Sequence, residues 1–271
     1  MLHFPNAKIN LGLFVTQKRP DGYHDLETIF YPLPQLKDAL EVVPADDSAI
    51  RISGREVPGQ PEDNLVWKAL LLLQQRFAER IPPVQVKLHK VIPMGAGLGG
   101  GSADGAFMLR LLNKFAGLEL DDATLAALAL ELGSDCPFFI YNTPQLAKGR
   151  GEVLQPIGID LGAYSIQVIC PKLHVSTADA FSNIVPAAAS LDLATLPGIP
   201  VTDWKQVLRN DFETTVFARH PQLARLKDTL YAEGALYAAM SGSGSALFGI
   251  FPKGQQSGLL SNDSQEVFYC E

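Results

Sequence analysis

The chain has 271 residues, 47% of them hydrophobic and 19% charged, which is enough to build one large or two modest globular domains. Its formal net charge of -7 argues against a nucleic-acid scaffold, because such a protein needs a basic surface to replace the counterions around phosphate. The three cysteines, Cys136, Cys170 and Cys270, have no CxxC spacing, so neither a disulfide framework nor a zinc site is expected.

The beginning of the chain, MLHFPNAKIN, lacks the charged start and apolar stretch of a signal peptide. The longest apolar runs, at residues 69–73 and 125–130, fall far short of the roughly 20 residues that span a bilayer. The sequence therefore predicts a soluble cytoplasmic protein with no nucleic-acid or membrane partner, and it specifies no oligomeric state.

The first elements are predicted to be strands. Apolar and polar residues alternate over residues 8–15, which predicts a half-buried strand with Lys8 and Asn10 on its polar face. A turn at residues 19–22 and a β-rich segment at residues 28–31 follow, as in a hairpin or meander.

A strand and three helices are predicted around the middle of the chain. Asn64 precedes a helical pattern that continues to Phe77, and alternating residues 84–89 predict a half-exposed strand. This strand leads into a glycine-rich segment, after which a helix should begin near Ser102. A further helix should be capped by Asp121 or Asp122 and end at Gly133.

Residues 156–163 contain Gly and Pro and lose periodicity, so we expect them to divide two domains, an N-terminal domain 1–157 and a C-terminal domain 158–271. The second half begins with a predicted strand at 165–170 and continues with helical stretches at 177–182 and 212–232. It ends in a strand, a tight turn and a strand over residues 235–251.

The glycine-rich segment has six glycines within the eleven residues 95–105, between a predicted strand and a predicted helix. Backbone N–H groups free of Cβ crowding and the positive end of a helix dipole form an anion site, for which phosphate is the natural ligand. The alternative is a flexible or close-packed turn. A Walker A loop is excluded, because Gly101 precedes Ser102 where that loop has lysine.

A dinucleotide-binding Rossmann site is a competing interpretation, since Gly95, Gly97 and Gly100 satisfy GxGxxG. Such a site needs a near-continuously apolar strand before the loop and an acidic residue at the end of a second strand. The preceding strand alternates with polar residues, and Glu119 and Asp121 lie between helices. A Rossmann-type NAD-dependent oxidoreductase is therefore kept only as an alternative from a different class of enzyme.

Residues 93–106, PMGAGLGGGSADGA, resemble the central ATP-binding motif of the GHMP kinases, the superfamily of galactokinase, homoserine kinase and mevalonate kinase. Within it, further segments resemble the members that act on a cytidine-diphosphate-linked methylerythritol, and another GHMP small-molecule kinase is the nearest alternative. These segments are PNAKINL at 5–11, RPDGYH at 19–24, GSDCPFF at 133–139, NDFE at 210–213 and MSGSGS at 240–245.

The resemblance implies a two-domain α/β (α+β) GHMP kinase fold, with a ribosomal S5 domain 2-like N-terminal domain and a ferredoxin-like C-terminal domain. It also implies phosphoryl transfer from ATP, with Mg2+, to the 2-hydroxyl of the methylerythritol unit, one step of the non-mevalonate route to isoprenoid precursors. The tail after Pro252 is short and polar, which departs from the family pattern.

The resemblance assigns Asp135 and Lys8 as catalytic residues. Phosphoryl transfer needs a base for the acceptor proton and a cation that stabilises the acceptor oxygen. Without the resemblance, Asp135 is an ordinary helix cap before Cys136, and Lys8 is a solvated lysine on the polar face of a strand.

ATP contacts are implied for the glycine segment and for Asn64, although Asn64 and Ser102 are also in positions typical of helix caps. The residues assigned to ATP are Pro93, Met94, Gly95, Ala96, Gly97, Leu98, Gly99, Gly100, Gly101, Ser102, Ala103 and Asn64. No protein ligand is expected for Mg2+.

Substrate contacts are implied for Asn10, Tyr23, His24, Thr177 and Phe181. An aromatic ring can stack on a pyrimidine and an imidazole can hydrogen-bond its edge, which suits recognition of cytidine. The alternative for Tyr23 and His24 is a turn with a half-buried tyrosine and a surface histidine.

Overall fold

The computed structural model describes residues 1–270, which form two compact units. Unit 1 comprises Met1–Ala7, Leu36–Met94 and Gly99–Thr143, and unit 2 comprises Lys8–Gln35, Gly95–Leu98 and the residues from Pro144 onward. The division into domains 1–157 and 158–271 stays a prediction. Residue 271, the last of the second domain, lies outside the described residues.

The strands are β1 (Leu2–His3), β2 (Asn6–Lys18), β3 (His24–Lys37), β4 (Ala39–Pro44), β5 (Ala49–Gly54), β6 (Val84–Lys90), β7 (Gln145–Lys148), β8 (Val153–Pro156), β9 (Tyr164–Pro171), β10 (Tyr237–Met240), β11 (Leu247–Pro252) and β12 (Gln265–Cys270). The α-helices are α1 (Leu65–Arg76), α2 (Gly100–Phe115), α3 (Asp122–Leu132), α4 (Cys136–Tyr141), α5 (Thr177–Phe181), α6 (Trp204–Val207), α7 (Phe212–Arg219) and α8 (Pro221–Ala232). Short 3-10 helices lie at Pro61–Asp63, Leu193–Gly198 and Val201–Asp203.

Unit 1 has a sheet in the order β1-β4-β6-β5, in which β6 pairs antiparallel with β4 and parallel with β5. The alternating burial of β6 confirms the predicted half-exposed strand. Helix α3 is capped by the side chain of Asp121 and ends at Gly133, as predicted. Among residues 1–270, no helix has the length and apolar character needed to cross a membrane.

Helix α2 begins two residues earlier than predicted. Its N-cap is Gly99, which has a φ of 72° and therefore the left-handed conformation that glycine adopts most readily. Ser102 is consequently inside the first turn of the helix, so its predicted alternative role as the N-cap is wrong.

Unit 2 contains two four-stranded sheets, in the orders β2-β3-β7-β8 and β10-β11-β9-β12. The tail after Pro252, which departs from the family pattern, supplies β12, and this strand pairs antiparallel with β9. Residues from both halves of the chain, including Leu13, Ile169, Phe212 and Phe251, form one buried cluster. The tail is therefore an integral part of the second sheet.

Two further local predictions are wrong. Strand β2 is buried on both faces from Asn6 to Val15, and only 3% of Lys8 and 3% of Asn10 are exposed, so these residues are not on a solvated face. The helical pattern at 212–232 forms two helices, α7 and α8, because Pro221 cannot donate a backbone hydrogen bond and the preceding His220 leaves helical geometry.

Candidate active site

The glycine segment joins β6 to α2 through a backbone that only glycine adopts easily. Gly95, Gly97 and Gly99 all have φ values between 65° and 79°. Gly97 is also sterically required, because a Cβ there would lie 2.0 Å from the carbonyl oxygen of Ser241. The glycine density therefore reflects backbone conformation and a close backbone contact within unit 2.

The turn between β10 and β11 makes that contact. The Ser241 hydroxyl donates to the Gly97 carbonyl at 2.8 Å, and the Ala246 N–H donates to the Ala96 carbonyl at 3.1 Å. The turn itself is held by Asn210, whose side-chain amide donates to the carbonyls of Met240 and Gly242, each at 2.8 Å. Sequence reasoning did not assign a role to Asn210, which was noted only as part of the NDFE segment.

The first turn of α2 combines packed and open positions. A Cβ on Gly100 would lie 2.9 Å from the side chain of Ile92, so Gly100 permits close packing. A Cβ on Gly101 would have Met94 Cε, at 4.0 Å, as its nearest neighbour. The start of this 16-residue helix thus offers backbone N–H groups and the positive end of a dipole, which favour an anion.

Asp135 lies at the start of α4, where it occupies the N-cap position without a side-chain capping hydrogen bond. The next residue, Cys136, hydrogen-bonds the side chain of Ser102, and burial raises the pKa of its thiol to about 12. This contact brings the start of α4 close to the start of α2 within unit 1. The half-buried Asp135 does not perform the capping role that was the alternative to catalysis.

A buried ionic cluster underlies the same helix start. The Lys90 ammonium contacts carboxylate oxygens of Asp38 and of Asp104, and all three residues are at most 2% exposed. Burial, and secondarily the Asp38 carboxylate, raises the pKa of Asp104 to about 8 against the opposing effect of Lys90. Sequence reasoning missed this cluster, although the period-two pattern of β6 places Lys90 on the same buried face as Val86.

Lys8 and Asn10 are brought together in β2. The Lys8 ammonium donates to the Asn10 side-chain oxygen at 2.6 Å and lies 5.0 Å from the ring centroid of Phe30. The Lys8 backbone N–H donates to the Leu98 carbonyl at 2.9 Å, which ties the strand to the glycine segment. A buried ammonium needs polar partners, so this lysine is in an environment unlike that of a solvated surface residue.

His24 and Phe181 are also brought together, although they are far apart in sequence. Their rings stack at a centroid distance of 4.8 Å and an interplanar angle of 20°, and Phe181 also makes an edge contact with Phe212. Tyr23 is 54% exposed, with the guanidinium of Arg150 4.1 Å from its ring centroid. Of the three aromatic residues predicted to contact cytidine, His24 and Phe181 therefore form a stacked pair, and Tyr23 is exposed.

Two further residues that were predicted to contact ligands, Thr177 and Asn64, make hydrogen bonds within the protein. Thr177 lies with its hydroxyl 3.3 Å from that of Ser243, so α5 contacts the turn between β10 and β11. Asn64 caps α1 by accepting the Val66 N–H at 2.9 Å.

Among residues 1–270, no three His, Cys, Asp or Glu side chains form a group that could hold a metal ion. The ligand contacts assigned from the sequence stay predictions.

Residues 64–143 match the family model of the GHMP kinases N terminal domain, and residues 199–267 match that of the GHMP kinases C terminal domain. A crystal structure of 4-(cytidine 5'-diphospho)-2C-methyl-D-erythritol kinase is similar at a TM-score of 0.80 and 34% identity, covering 92% of this chain and 90% of that one.

Two curated relatives are more similar in sequence. The 4-diphosphocytidyl-2-C-methyl-D-erythritol kinase of Parabacteroides distasonis is 53% identical over 253 residues, which cover 93% of this chain and 92% of the relative. The enzyme of the same name from Bacteroides fragilis is 52% identical over 255 residues, with the same coverage. These matches confirm the two-domain GHMP kinase fold and set aside the oxidoreductase alternative. The chain belongs to the 4-diphosphocytidyl-2-C-methyl-D-erythritol kinase family of the GHMP kinases.

Proposed function

We propose that this protein transfers the γ-phosphoryl group of ATP to the 2-hydroxyl of 4-diphosphocytidyl-2-C-methyl-D-erythritol, in the non-mevalonate route to isoprenoid precursors. One observation carries the proposal: the chain is 53% identical over 93% of its length to a kinase named for that substrate. We also propose that the reaction takes place in the cytoplasm, where ATP is abundant.

The glycine segment and the start of α2 are the proposed site for the ATP phosphates. The supporting features are the left-handed glycine backbone, the side-chain-free first helical position and the dipole of a 16-residue helix. Mg2+, when bound with ATP, supplies charge neutralisation on the phosphates. We assign the ion to phosphate oxygens and water, which suit the preference of Mg2+ for oxygen ligands.

Asp135 is the proposed general base. The substrate's C2 carries a methyl group, so the acceptor is a tertiary hydroxyl, which is crowded and must lose its proton as the new O–P bond forms. The Asp135 carboxylate takes that proton, and the Lys8 ammonium stabilises the oxygen as charge develops on it. Support for these roles comes from the position of Asp135 at the start of α4, where the neighbouring Cys136 contacts Ser102 of α2, and from the burial of Lys8.

The cytidine end of the substrate is assigned to Tyr23, His24 and Phe181, with Asn10 and Thr177 as further substrate contacts. The His24–Phe181 stack is a planar, partly buried aromatic surface on which a pyrimidine can stack. Since the two rings contact each other, we infer that the base binds against an outer face of the pair or inserts after they separate. Binding energy from the cytidine then positions the distant hydroxyl.

The proposed regiochemistry is tested by ³¹P NMR of the product formed from Mg-ATP and the cytidine-diphosphate polyol. A phosphate ester at the tertiary 2-oxygen has no hydrogen on the attached carbon, so its new resonance should show no three-bond coupling to a proton. A phosphomonoester split by a neighbouring CH or CH₂ would contradict transfer to the 2-hydroxyl. Absence of any new ester, with ATP intact, would contradict the kinase assignment for this acceptor.

A further inference from the structure

A chain of buried hydrogen bonds begins at a backbone carbonyl and ends at the Lys8 ammonium. The Thr28 hydroxyl donates to the Gly12 carbonyl and accepts from the Asn10 side-chain N–H at 3.0 Å. Asn10 in turn accepts from Lys8 at 2.6 Å. Thr28 is 0% exposed, and Lys8 and Asn10 are each 3% exposed, so water does not readily replace these partners.

The single proton of the Thr28 hydroxyl determines which group donates and which accepts in each of these hydrogen bonds. Because a hydroxyl has one donor, a Thr28 that donates to Gly12 can only accept from Asn10. The Asn10 amide must therefore turn its NH₂ group toward Thr28 and its oxygen toward Lys8. The reversed amide would place two donors, NH₂ and ammonium, against each other at 2.6 Å.

The backbone at Gly12 makes this arrangement possible. Gly12 lies inside β2 with a φ of 68°, and a Cβ there would lie 2.9 Å from a side-chain carbon of Leu208. This left-handed residue departs from extended backbone geometry inside the strand, and its carbonyl is the acceptor of the Thr28 hydroxyl. The local irregularity in β2 thus supplies the fixed group on which the chain of hydrogen bonds depends.

We propose that Thr28 is a positioning residue, which fixes the orientation of the Asn10 amide and through it holds the Lys8 ammonium in place for phosphoryl transfer. The inference rests on the proposed function for its kinetic consequence. It also assigns to Asn10 a role toward Lys8 in addition to the predicted contact with substrate. The hydroxyl of Thr28, not its methyl group, is the part that acts.

The test compares Thr28→Val, which removes the hydroxyl and keeps the shape, with Thr28→Ser, which keeps the hydroxyl and removes the methyl. Thr215→Val, at another buried threonine of unit 2, is the matched control. The first measurement is hydrogen exchange of the Asn10 side-chain amide by NMR of protein labelled at asparagine. The second is kcat and the KM for ATP with the cytidine-diphosphate polyol.

Thr28→Val should speed exchange of the Asn10 amide and lower kcat roughly tenfold, the effect of one lost hydrogen bond, with the KM for ATP unchanged. Thr28→Ser and Thr215→Val should match the wild type in both measurements. If Thr28→Val does not fold, Thr28→Ala takes its place with the same expectation.

The proposal would be overturned if Thr28→Val had the same Asn10 amide exchange rate and the same kcat as the wild type. It would also be overturned if Thr28→Ser were impaired as strongly as Thr28→Val. The amide measurement does not require turnover. An inactive wild type would therefore contradict the proposed function, while the exchange rates of the two variants would still decide whether the Thr28 hydroxyl orients Asn10.

Discussion

The ammonium nitrogen of Lys90 lies 2.6 Å from a carboxylate oxygen of Asp104, and each of these residues is only 2% exposed. Lys90 ends β6 and Asp104 is in the early part of α2, so this contact joins the elements on either side of the glycine segment. Asp38 contacts Lys90 as well and accepts the backbone N–H of Ile92 at 2.8 Å. This buried cluster anchors the base of the proposed phosphate site.

The pKa of Asp104 predicts how stability depends on pH. The folded protein raises this pKa from 3.8 to about 8, mainly by burial, so between these values it binds a proton that the unfolded chain releases. The contribution of Asp104 to stability is therefore largest below pH 3.8 and falls as the pH rises to about 8. The substitution Asp104→Asn should remove this decrease of stability with rising pH, because an amide stays neutral and can still accept a hydrogen bond from Lys90.

We expect Asp104→Asn to gain stability relative to the wild type as the pH rises, by on the order of 4 kcal/mol between pH 5 and pH 8. The measurement is the difference in the free energy of unfolding between the two proteins by urea titration at several pH values. A difference that stays constant over that range would show that Asp104 does not titrate as described.

Replacement of Gly99 tests the proposed phosphate site. Gly99→Ala forces alanine into a left-handed conformation, which costs about 1 kcal/mol of stability and displaces the N–H groups at the start of α2. Gly117→Ala, after the end of α2, is a matched control, because Gly117 is also left-handed with a φ of 57° and has open space around it. Both variants should melt at similar temperatures, but only Gly99→Ala should weaken ATP binding, by about tenfold or more. Equal ATP affinity in the two variants by calorimetry would argue against this site.

Asp135→Asn tests the proposed base. The amide is nearly the same size and cannot take the acceptor proton, so kcat should fall about 10²- to 10⁴-fold while the affinity for ATP is kept. Asp122→Asn, at an exposed position of α3, should leave kcat unchanged. A near-normal kcat for Asp135→Asn in steady-state kinetics would reject the assignment.

His24→Ala tests the cytidine contact. Loss of the imidazole removes both a hydrogen-bonding group and the ring that stacks on Phe181, so kcat/KM for the full substrate should fall by roughly 1–3 kcal/mol in transition-state energy. ATP affinity should be nearly unchanged. The control is His89→Ala, which removes an exposed histidine of β6. If the two variants have the same kcat/KM, His24 does not contribute to substrate recognition.

Local patterns predicted most elements near the glycine segment. The Asp121 cap, the Gly133 stop and the alternation in β6 depend on neighbouring residues, so sequence spacing reveals them. Strand β2 was predicted to be half exposed, because its alternating polar residues do not show that other elements cover both faces. Burial of that kind depends on the tertiary fold.

Contacts between distant residues were the part that the sequence could not predict. Nothing local indicates that His24 stacks on Phe181 or that Asn210 holds the turn at Gly242. Lys90 is different, because its place in the period-two pattern of β6 marks it as buried. Its partners, Asp38 and Asp104, could be identified only from the tertiary fold.

We expect this chain to phosphorylate the cytidine-diphosphate polyol and to use the cytidine to position it. The most direct measurement is kcat/KM with Mg-ATP for 4-diphosphocytidyl-2-C-methyl-D-erythritol beside methylerythritol phosphate without the cytidylyl group, homoserine and mevalonate, followed by ADP release. We predict that the full substrate exceeds each of the others by at least about 10²-fold, because only it supplies binding energy remote from the reacting hydroxyl. Equal kcat/KM for the full and truncated acceptors would show that the cytidine does not position the substrate, and a preference for homoserine or mevalonate would contradict the proposed function.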